Sequence, residues 1–113
     1  MMNLSALPDI VSIKKNAEIK ELFANSIKIH TRYGLFFLNK ESFSNQIGFA
    51  VLIKKSVGNA VRRNYYKRIV RSYFRNNLKL FVNYSKVLFL FNFEGKVNFQ
   101  DLTKEFDNQL RAI

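Results

Sequence analysis

The sequence predicts an α+β fold, a two-layer sandwich with helices packed on a four-stranded sheet and elements in the order α-β-β-β-α-β-α. Two apolar runs, 46–53 and 87–93, have the composition of buried strands. Two segments, 59–77 and 99–113, space their apolar residues as helices do, and 26–31 alternates as a strand with one solvated face. At 113 residues, the chain is expected to be a single domain, 1–113, around one core.

The first third of the chain is predicted to contain an arm, a helix and two strands. Residues 1–11 lack periodicity and are interpreted as an extended arm. A short helix is expected to begin at an N-cap, Asn16, and to end near Asn25. The strand at 26–31 is followed closely by a second at 32–38, so the two form either a tight hairpin or one bent ribbon. A polar loop then covers 39–45.

The remainder is organised around the basic helix at 59–77, for which Asn59 is the N-cap candidate. The connection 78–85 is expected to extend this helix or to pack beneath it. The run 87–93 should be a central strand, broken by the glycine that follows it. The last segment carries one apolar helical stripe, formed by Phe99, Leu102, Phe106 and Leu110.

The charge distribution points to a polyanionic partner. The formal net charge is +11 and the pI is about 10.1, values typical of nucleic-acid-binding proteins. Residues 42–93 contain ten basic residues and no acidic one, whereas ordinary solvated surfaces mix both signs. Two alternatives remain open for the basic helix: a surface that only aids solubility, and an amphipathic helix lying on an acidic membrane.

On a helical projection, one arc of the 59–77 helix is polar and the other apolar. The apolar arc includes Val61, Tyr65 and Tyr66, with Arg62 as an exception that can escape outward from the first turn. The polar arc spans roughly 140° and contains Arg63, Asn64, Lys67, Arg68, Arg71 and Arg75.

No constellation in the sequence predicts catalysis or a metal site in the protein. The chain has no cysteine and one histidine, His30, and its Glu18 and Glu21 fit surface positions better than acid–base roles. It lacks a phosphate-binding glycine loop, an apolar run of membrane-spanning length and a recognisable signal peptide. A cytoplasmic location is therefore expected.

The aromatic residues near the first helix allow two interpretations. Phe23, Tyr33, Phe36 and Phe37 either fill the core or stack on unpaired bases. Because Phe36 and Phe37 are adjacent on a strand, they point to opposite faces of the sheet. On a sheet covered on one side, at least one of them is available for another role.

The segment 54–71 resembles the signature of the protein subunit of bacterial ribonuclease P. In that signature a Gly-Asn-Ala-Val segment leads to Arg-Asn, two variable residues, Lys-Arg, two apolar residues and Arg. The matching residues are Gly58, Asn59, Ala60, Val61, Arg63, Asn64, Lys67, Arg68 and Arg71. The likeness extends more loosely over most of the chain, including the opening and closing helices.

This resemblance implies a fold with a left-handed β-α-β crossover and a role in cutting precursor tRNA to its mature 5′ end. A large catalytic RNA would perform the cleavage, with Mg²⁺ held chiefly by that RNA and none by the protein alone. The resemblance implies a cleft for the single-stranded 5′ leader at Ile19, Phe23 and Phe36. It implies RNA contacts at Lys54, Lys55, Asn59, Arg63, Asn64, Lys67, Arg68 and Arg71. Arg62 and Arg75 are also expected to contact RNA, because they lie on the same basic helix.

Other functions remain open from the residues alone. A general RNA-binding or ribosome-associated module without a processing role would show the same basic helix. A nuclease acting without RNA would need a catalytic constellation, which the sequence does not offer. In the free protein, sulfate or phosphate is expected to bind the basic helix and raise stability.

Overall fold

The computed structural model describes residues 9–40 and 46–112, which form an α+β fold built on one mixed five-stranded sheet. The strands are β1 (Asp9–Ser12), β2 (Ile27–Thr31), β3 (Gly34–Asn39), β4 (Gln46–Ile53) and β5 (Lys86–Phe91). The helices are α1 (Asn16–Asn25), α2 (Ala60–Asn76) and α3 (Phe99–Leu110). Short 3-10 helices at Lys55–Val57 and Leu78–Phe81 flank α2.

The sheet order β1-β4-β5-β3-β2 shows why β5 is so apolar: it lies at the centre. β1, β4 and β5 are parallel, whereas β3 is antiparallel to both β5 and β2. The expected four-stranded sheet is wrong, because β1 adds a parallel edge strand beside β4. That strand covers 9–12 and includes the last three residues of the extended arm expected at 1–11. The rest of that arm, 1–8, lies outside the described residues.

β2 and β3 form a tight hairpin rather than one bent ribbon. Thr31 pairs with Gly34 across a two-residue turn, and the Thr31 hydroxyl accepts from the Gly34 amide at 3.1 Å. Gly34 is required here because its φ is +156° and a Cβ would lie 1.9 Å from the carbonyl oxygen of Leu90. Most of the loop expected after β3, 41–45, lies outside the described residues.

Helices cover both faces of the sheet, so the expected two-layer arrangement is wrong. On one face, α2 and α3 pack against alternate residues of β3, β4 and β5, where Phe49 stacks on Phe74 at 3.9 Å between ring centroids. On the other face, Leu22 of α1 packs against Phe37 and Leu88. Two apolar cores therefore share the same strands.

The boundaries of the helices follow local chemistry. Asn59 caps α2 as predicted, accepting from the amide of Arg62 at 2.9 Å. Asn98 caps α3 in the same way. The expected cap of α1 at Asn16 is wrong by one residue: Lys15 occupies that position and makes no side-chain capping bond. The predicted stripe of α3 is buried at Leu102, Phe106 and Leu110, but Phe99 is exposed.

Candidate nucleic-acid interface

The outer arc of α2 carries a continuous row of cations. We call it the basic ridge and define it by Arg63, Asn64, Lys67, Arg68, Arg71 and Arg75. Arg63 and Lys67 are half-buried at its flank, and the other four residues are exposed. The opposite arc is anchored in the core by Tyr66, Ile69, Val70, Tyr73 and Phe74. This anchoring fixes the direction in which the ridge faces.

No described carboxylate lies within ion-pair distance of the ridge cations. Over residues 9–40 and 46–112, the ion pair found within 4.0 Å joins Lys86 to Glu18, at 3.8 Å, and involves no residue of α2. Within α2 itself, the Arg68 guanidinium carbon lies 5.8 Å from the centroid of the Tyr65 ring. A row of exposed, uncompensated guanidinium groups provides donors for phosphate oxygens and repels itself until an anion binds.

Three further predicted contacts lie at the N-terminal end of α2. Lys54 and Lys55 are exposed beside the 3-10 helix that precedes α2. Arg62 is exposed although it projects toward the apolar arc, because its aliphatic stem packs over Gly58. A Cβ atom on residue 58 would lie 2.6 Å from Arg62 Cδ. The positive region therefore continues from the basic ridge around the start of α2.

A second surface lies on the other face of the sheet, beside α1. We call it the α1-side surface; its half-buried apolar residues are Ile19, Phe23, Leu35, Leu52 and Leu90. Phe23 packs edge-on against Phe37, with ring centroids 4.9 Å apart. Both predicted α1 residues, Ile19 and Phe23, are therefore brought together and remain partly accessible.

Phe36, the third residue expected in the leader cleft, lies on the wrong face of the sheet. Its side chain is 1% exposed and packs against Phe89 and Phe106 on the side of α3. The adjacent Phe37 points toward α1, but it too is buried, since helices cover both faces. Leu35, two residues before Phe37 on the same strand face, is the accessible neighbour that sequence reasoning missed; strand alternation with Phe37 was the available signal.

The acidic and histidine side chains do not assemble into a catalytic or metal-binding cluster in the part of the chain that the structure describes. Glu18 faces Lys86, and Glu21 accepts from the side chain of Asn25 at 2.8 Å. His30 is exposed on β2. The described helices are each too short or too polar to cross a membrane.

Tyr73 is a buried titratable residue in the core between α2 and α3. Its hydroxyl donates to Asp107 Oδ1 at 2.7 Å. Burial raises the pKa of Tyr73, and the hydrogen bond to the Asp107 carboxylate raises it further. The hydroxyl therefore stays protonated and joins the two helices, which is a structural role.

Comparison with known proteins identifies the family of this chain. The Ribonuclease P family model matches residues 7–113. The chain belongs to the ribonuclease P protein family. The ribonuclease P protein component of Natranaerobius thermophilus is 30% identical over 102 residues, covering 88% of this chain and 87% of the relative. That of Fusobacterium nucleatum is 31% identical over 105 residues, covering 90% and 92%.

Solved structures of ribonuclease P proteins share the fold. The Staphylococcus aureus protein superimposes with a TM-score of 0.78 at 17% identity, covering 89% of this chain and 93% of that one. The Thermotoga maritima protein gives a TM-score of 0.77 at 19% identity, covering 91% and 97%. These structures show the fold, whereas the family model and the curated relatives show the role, that of the protein component of ribonuclease P, an endoribonuclease for the maturation of the tRNA 5′ end.

Proposed function

We propose that this subunit binds the catalytic RNA of ribonuclease P through the basic ridge and takes the 5′ leader of precursor tRNA on the α1-side surface. The observation that carries the first part is the row of exposed ridge cations without a carboxylate partner within the described residues. Phosphates are the partners that such a row fits. Lys54, Lys55 and Arg62 extend the phosphate contacts toward the start of α2.

The second part is supported by the chemistry of the α1-side surface. Phe23 offers a partly accessible ring, and Ile19, Leu35, Leu52 and Leu90 give it apolar neighbours. Unpaired bases of a single strand stack on such rings without sequence preference, which suits leaders of varied sequence. Lys28 lies nearby, with its ammonium 6.0 Å from the Phe37 ring, and can contact the leader backbone.

We infer that the β4-α2-β5 crossover is left-handed, and backbone stereochemistry supports this. The Gly48 amide donates to the carbonyl of Ser85 at 2.9 Å, so even-numbered residues of β4 direct their backbone groups toward β5. Ala50 points its side chain to the α1 face, whereas Phe49 points to α2. When a strand of L-residues is drawn running upward, a residue whose side chain points toward the viewer has its N–H and C=O on the right. A residue whose side chain points away, as Ala50 does when seen from α2, has them on the left. Seen from α2, β5 therefore lies to the left of β4, contrary to the usual hand.

The catalytic step is assigned to the RNA. Mg²⁺ needs several oxygen ligands, and the residues around the basic ridge are cations and amides, which do not fit a protein-held Mg²⁺ site. We therefore place the metal on the RNA, with the protein contributing binding and neutralisation of phosphates. The chain acts in this scheme as one RNA-binding domain in the cytoplasm.

Reconstitution tests this assignment. The protein is combined with a bacterial ribonuclease P RNA at low Mg²⁺ and with precursor tRNA that carries a 5′ leader. The same tRNA without the leader serves to compare binding. Cleavage of the leader-bearing substrate should depend on the protein. Arg71→Ala should weaken binding to the catalytic RNA, whereas Phe23→Ala should affect only affinity for leader-bearing substrate.

Two outcomes would overturn the proposal. If the protein binds both RNAs without stimulating cleavage, it is a general RNA-binding module. If it cleaves precursor tRNA without the RNA subunit, the catalytic assignment is wrong. Lys104→Ala, which removes an exposed charge from α3, serves as the matched control and should bind RNA and support cleavage as the wild type does.

A further inference from the structure

An open groove of about 550 Å³ lies between the first two turns of α2 and the segment that follows β5. It lies on the side of α2 that was predicted to be apolar, away from the arc of the basic ridge. Its volume falls within the range of ligand clefts. The lining residues are Asn59, Val61, Arg62, Tyr65, Tyr66, Lys96 and Val97.

The groove is held in shape from both sides. Tyr66 is buried, stacks on Phe91 with ring centroids 4.8 Å apart, and donates its hydroxyl to the carbonyl of Gly95 at 3.4 Å. That contact ties the segment after β5 to α2. On the other side, the Asn59 cap fixes the first turn of α2. The opening is therefore a property of the folded core rather than of loose side chains.

Two apolar side chains are exposed at this opening. Val61 is 79% exposed and Tyr65 is 40% exposed, although sequence periodicity placed both on the apolar arc of α2. Because the two residues stand four apart on α2, they form one exposed apolar pair within the most basic part of the chain. It offers a flat ring and an aliphatic neighbour to a ligand.

The charge around this pair has one sign. Arg62 and Lys96 line the groove, and the Arg68 guanidinium carbon lies 5.8 Å from the Tyr65 ring centroid. None of the lining residues is acidic. A ligand that fits both the apolar pair and the positive charges has a planar, weakly polar part with negative charge on either side. A nucleotide within an RNA strand has this form.

We propose that this groove binds a single unpaired nucleobase of an RNA strand. The base stacks on Tyr65 against Val61, while Arg62 and Lys96 contact the flanking phosphates. The inference deepens the proposed RNA-binding role, on which it rests, by adding base contact to the phosphate contacts of the basic ridge. Tyr65 occupies one of the two variable positions of the signature, so the site is a feature of this chain rather than of the signature itself.

The test uses the full-length protein and two probes, tetraadenylate and a phosphodiester strand of the same length without bases. Methyl resonances of Val61 and Val97 should shift with tetraadenylate and stay unmoved with the abasic strand. The base-bearing strand should bind about 5- to 160-fold more tightly, as stacking of one base implies. Both Tyr65 variants are made in a Phe23→Ala protein, which lacks the stacking ring of the α1-side surface. In that background Tyr65→Phe should keep the preference for bases, and Tyr65→Ala should abolish it.

The salt dependence separates stacking from charge. Tyr65→Ala should leave the slope of log affinity against log salt unchanged, whereas Arg62→Ala or Lys96→Ala should each reduce it by about 0.7. The proposal is overturned if Tyr65→Ala retains the preference for bases, or if the shifts map to the α1-side surface instead. It is also overturned if the methyl resonances of Val61 shift only when a protein, and not an RNA strand, is added.

The reconstitution assay keeps the two proposals apart. Loss of protein-dependent cleavage in the wild type would contradict the proposed function and leave the groove measurements standing. A groove that ignores tetraadenylate, in a protein that still stimulates cleavage, would contradict only this inference.

Discussion

Arg71→Ala should change stability and RNA affinity in opposite directions. Arg71 is exposed, and Lys67, Arg68 and Arg75 stand three or four residues away on the same helix face. Like-charge pairs at this spacing destabilise a helix by about 0.2–0.5 kcal/mol each. Removing Arg71 eliminates three such pairs and, within the described part of the chain, no ion pair. The free protein should therefore become more stable by about 0.6–1.5 kcal/mol at low salt.

The same substitution removes one phosphate contact. Each neutralised phosphate contributes about −0.7 to −0.9 to the slope of log affinity against log salt. Arg71→Ala should therefore reduce the steepness of that slope by nearly one unit and weaken binding at the basic ridge whatever the RNA sequence. Five cations on the basic ridge give a slope of about −4 for the wild type if all contact phosphate.

Urea unfolding at low and high salt measures the first effect, and RNA titration over a salt series measures the second. The stability gain should shrink as salt screens the repulsion. Lys104→Ala removes the same charge from α3, where Asp101 is three residues away, so it should lower stability slightly and leave the RNA slope unchanged. A destabilised Arg71→Ala protein would refute the reasoning, because it would mean that Arg71 is satisfied within the fold.

Three other measurements check the account. Sulfate at a hundred times its dissociation constant should stabilise the free protein by about 2.7 kcal/mol, and a Tm indifferent to sulfate would contradict anion binding. Asn59→Ala should cost about 1 kcal/mol by loss of the cap, similar to Asn98→Ala on α3; an unchanged urea midpoint would argue against the cap. Because the pKa of Tyr73 is raised above 10.0, the unfolded chain releases this proton first and stability should fall as pH rises above 10.0. Tyr73→Phe should flatten that fall in urea titrations at alkaline pH, and an equally steep fall would exclude Tyr73 as its source.

Local patterns predicted the elements whose evidence lies within a few residues. The strand at 46–53, the Asn59 cap and the buried stripe from Leu102 to Leu110 all match the structure. β1 was missed because Asp9–Ser12 has no alternation, and its partner is a distant parallel strand, β4. Strand length and periodicity carry no signal for a pairing of this kind.

The candidate interface was also predictable where its evidence lies within a few residues. The basic ridge follows from one helix and the absence of acidic residues around it, so sequence alone sufficed to define it. The sequence placed Phe36 in the α1-side cleft, and this was wrong. Strand alternation predicts that adjacent side chains point to opposite faces of the sheet, but it does not predict which face α1 covers. The groove beside Tyr65 was not foreseen, since Lys96 reaches it only through the Tyr66 contact with Gly95.

Because helices cover both faces of the sheet, the two candidate binding surfaces can be changed independently by mutation. α1 and α2 pack against opposite faces of the same strands, so a helix-on-sheet layer separates their outward surfaces. Substitutions farther apart than about 7–10 Å without shared partners usually have additive free energies. The effects of paired changes at Phe23 and Arg71 on free energy should therefore add without coupling. Under the proposed function, affinity for the leader can then be altered while affinity for the catalytic RNA stays unchanged.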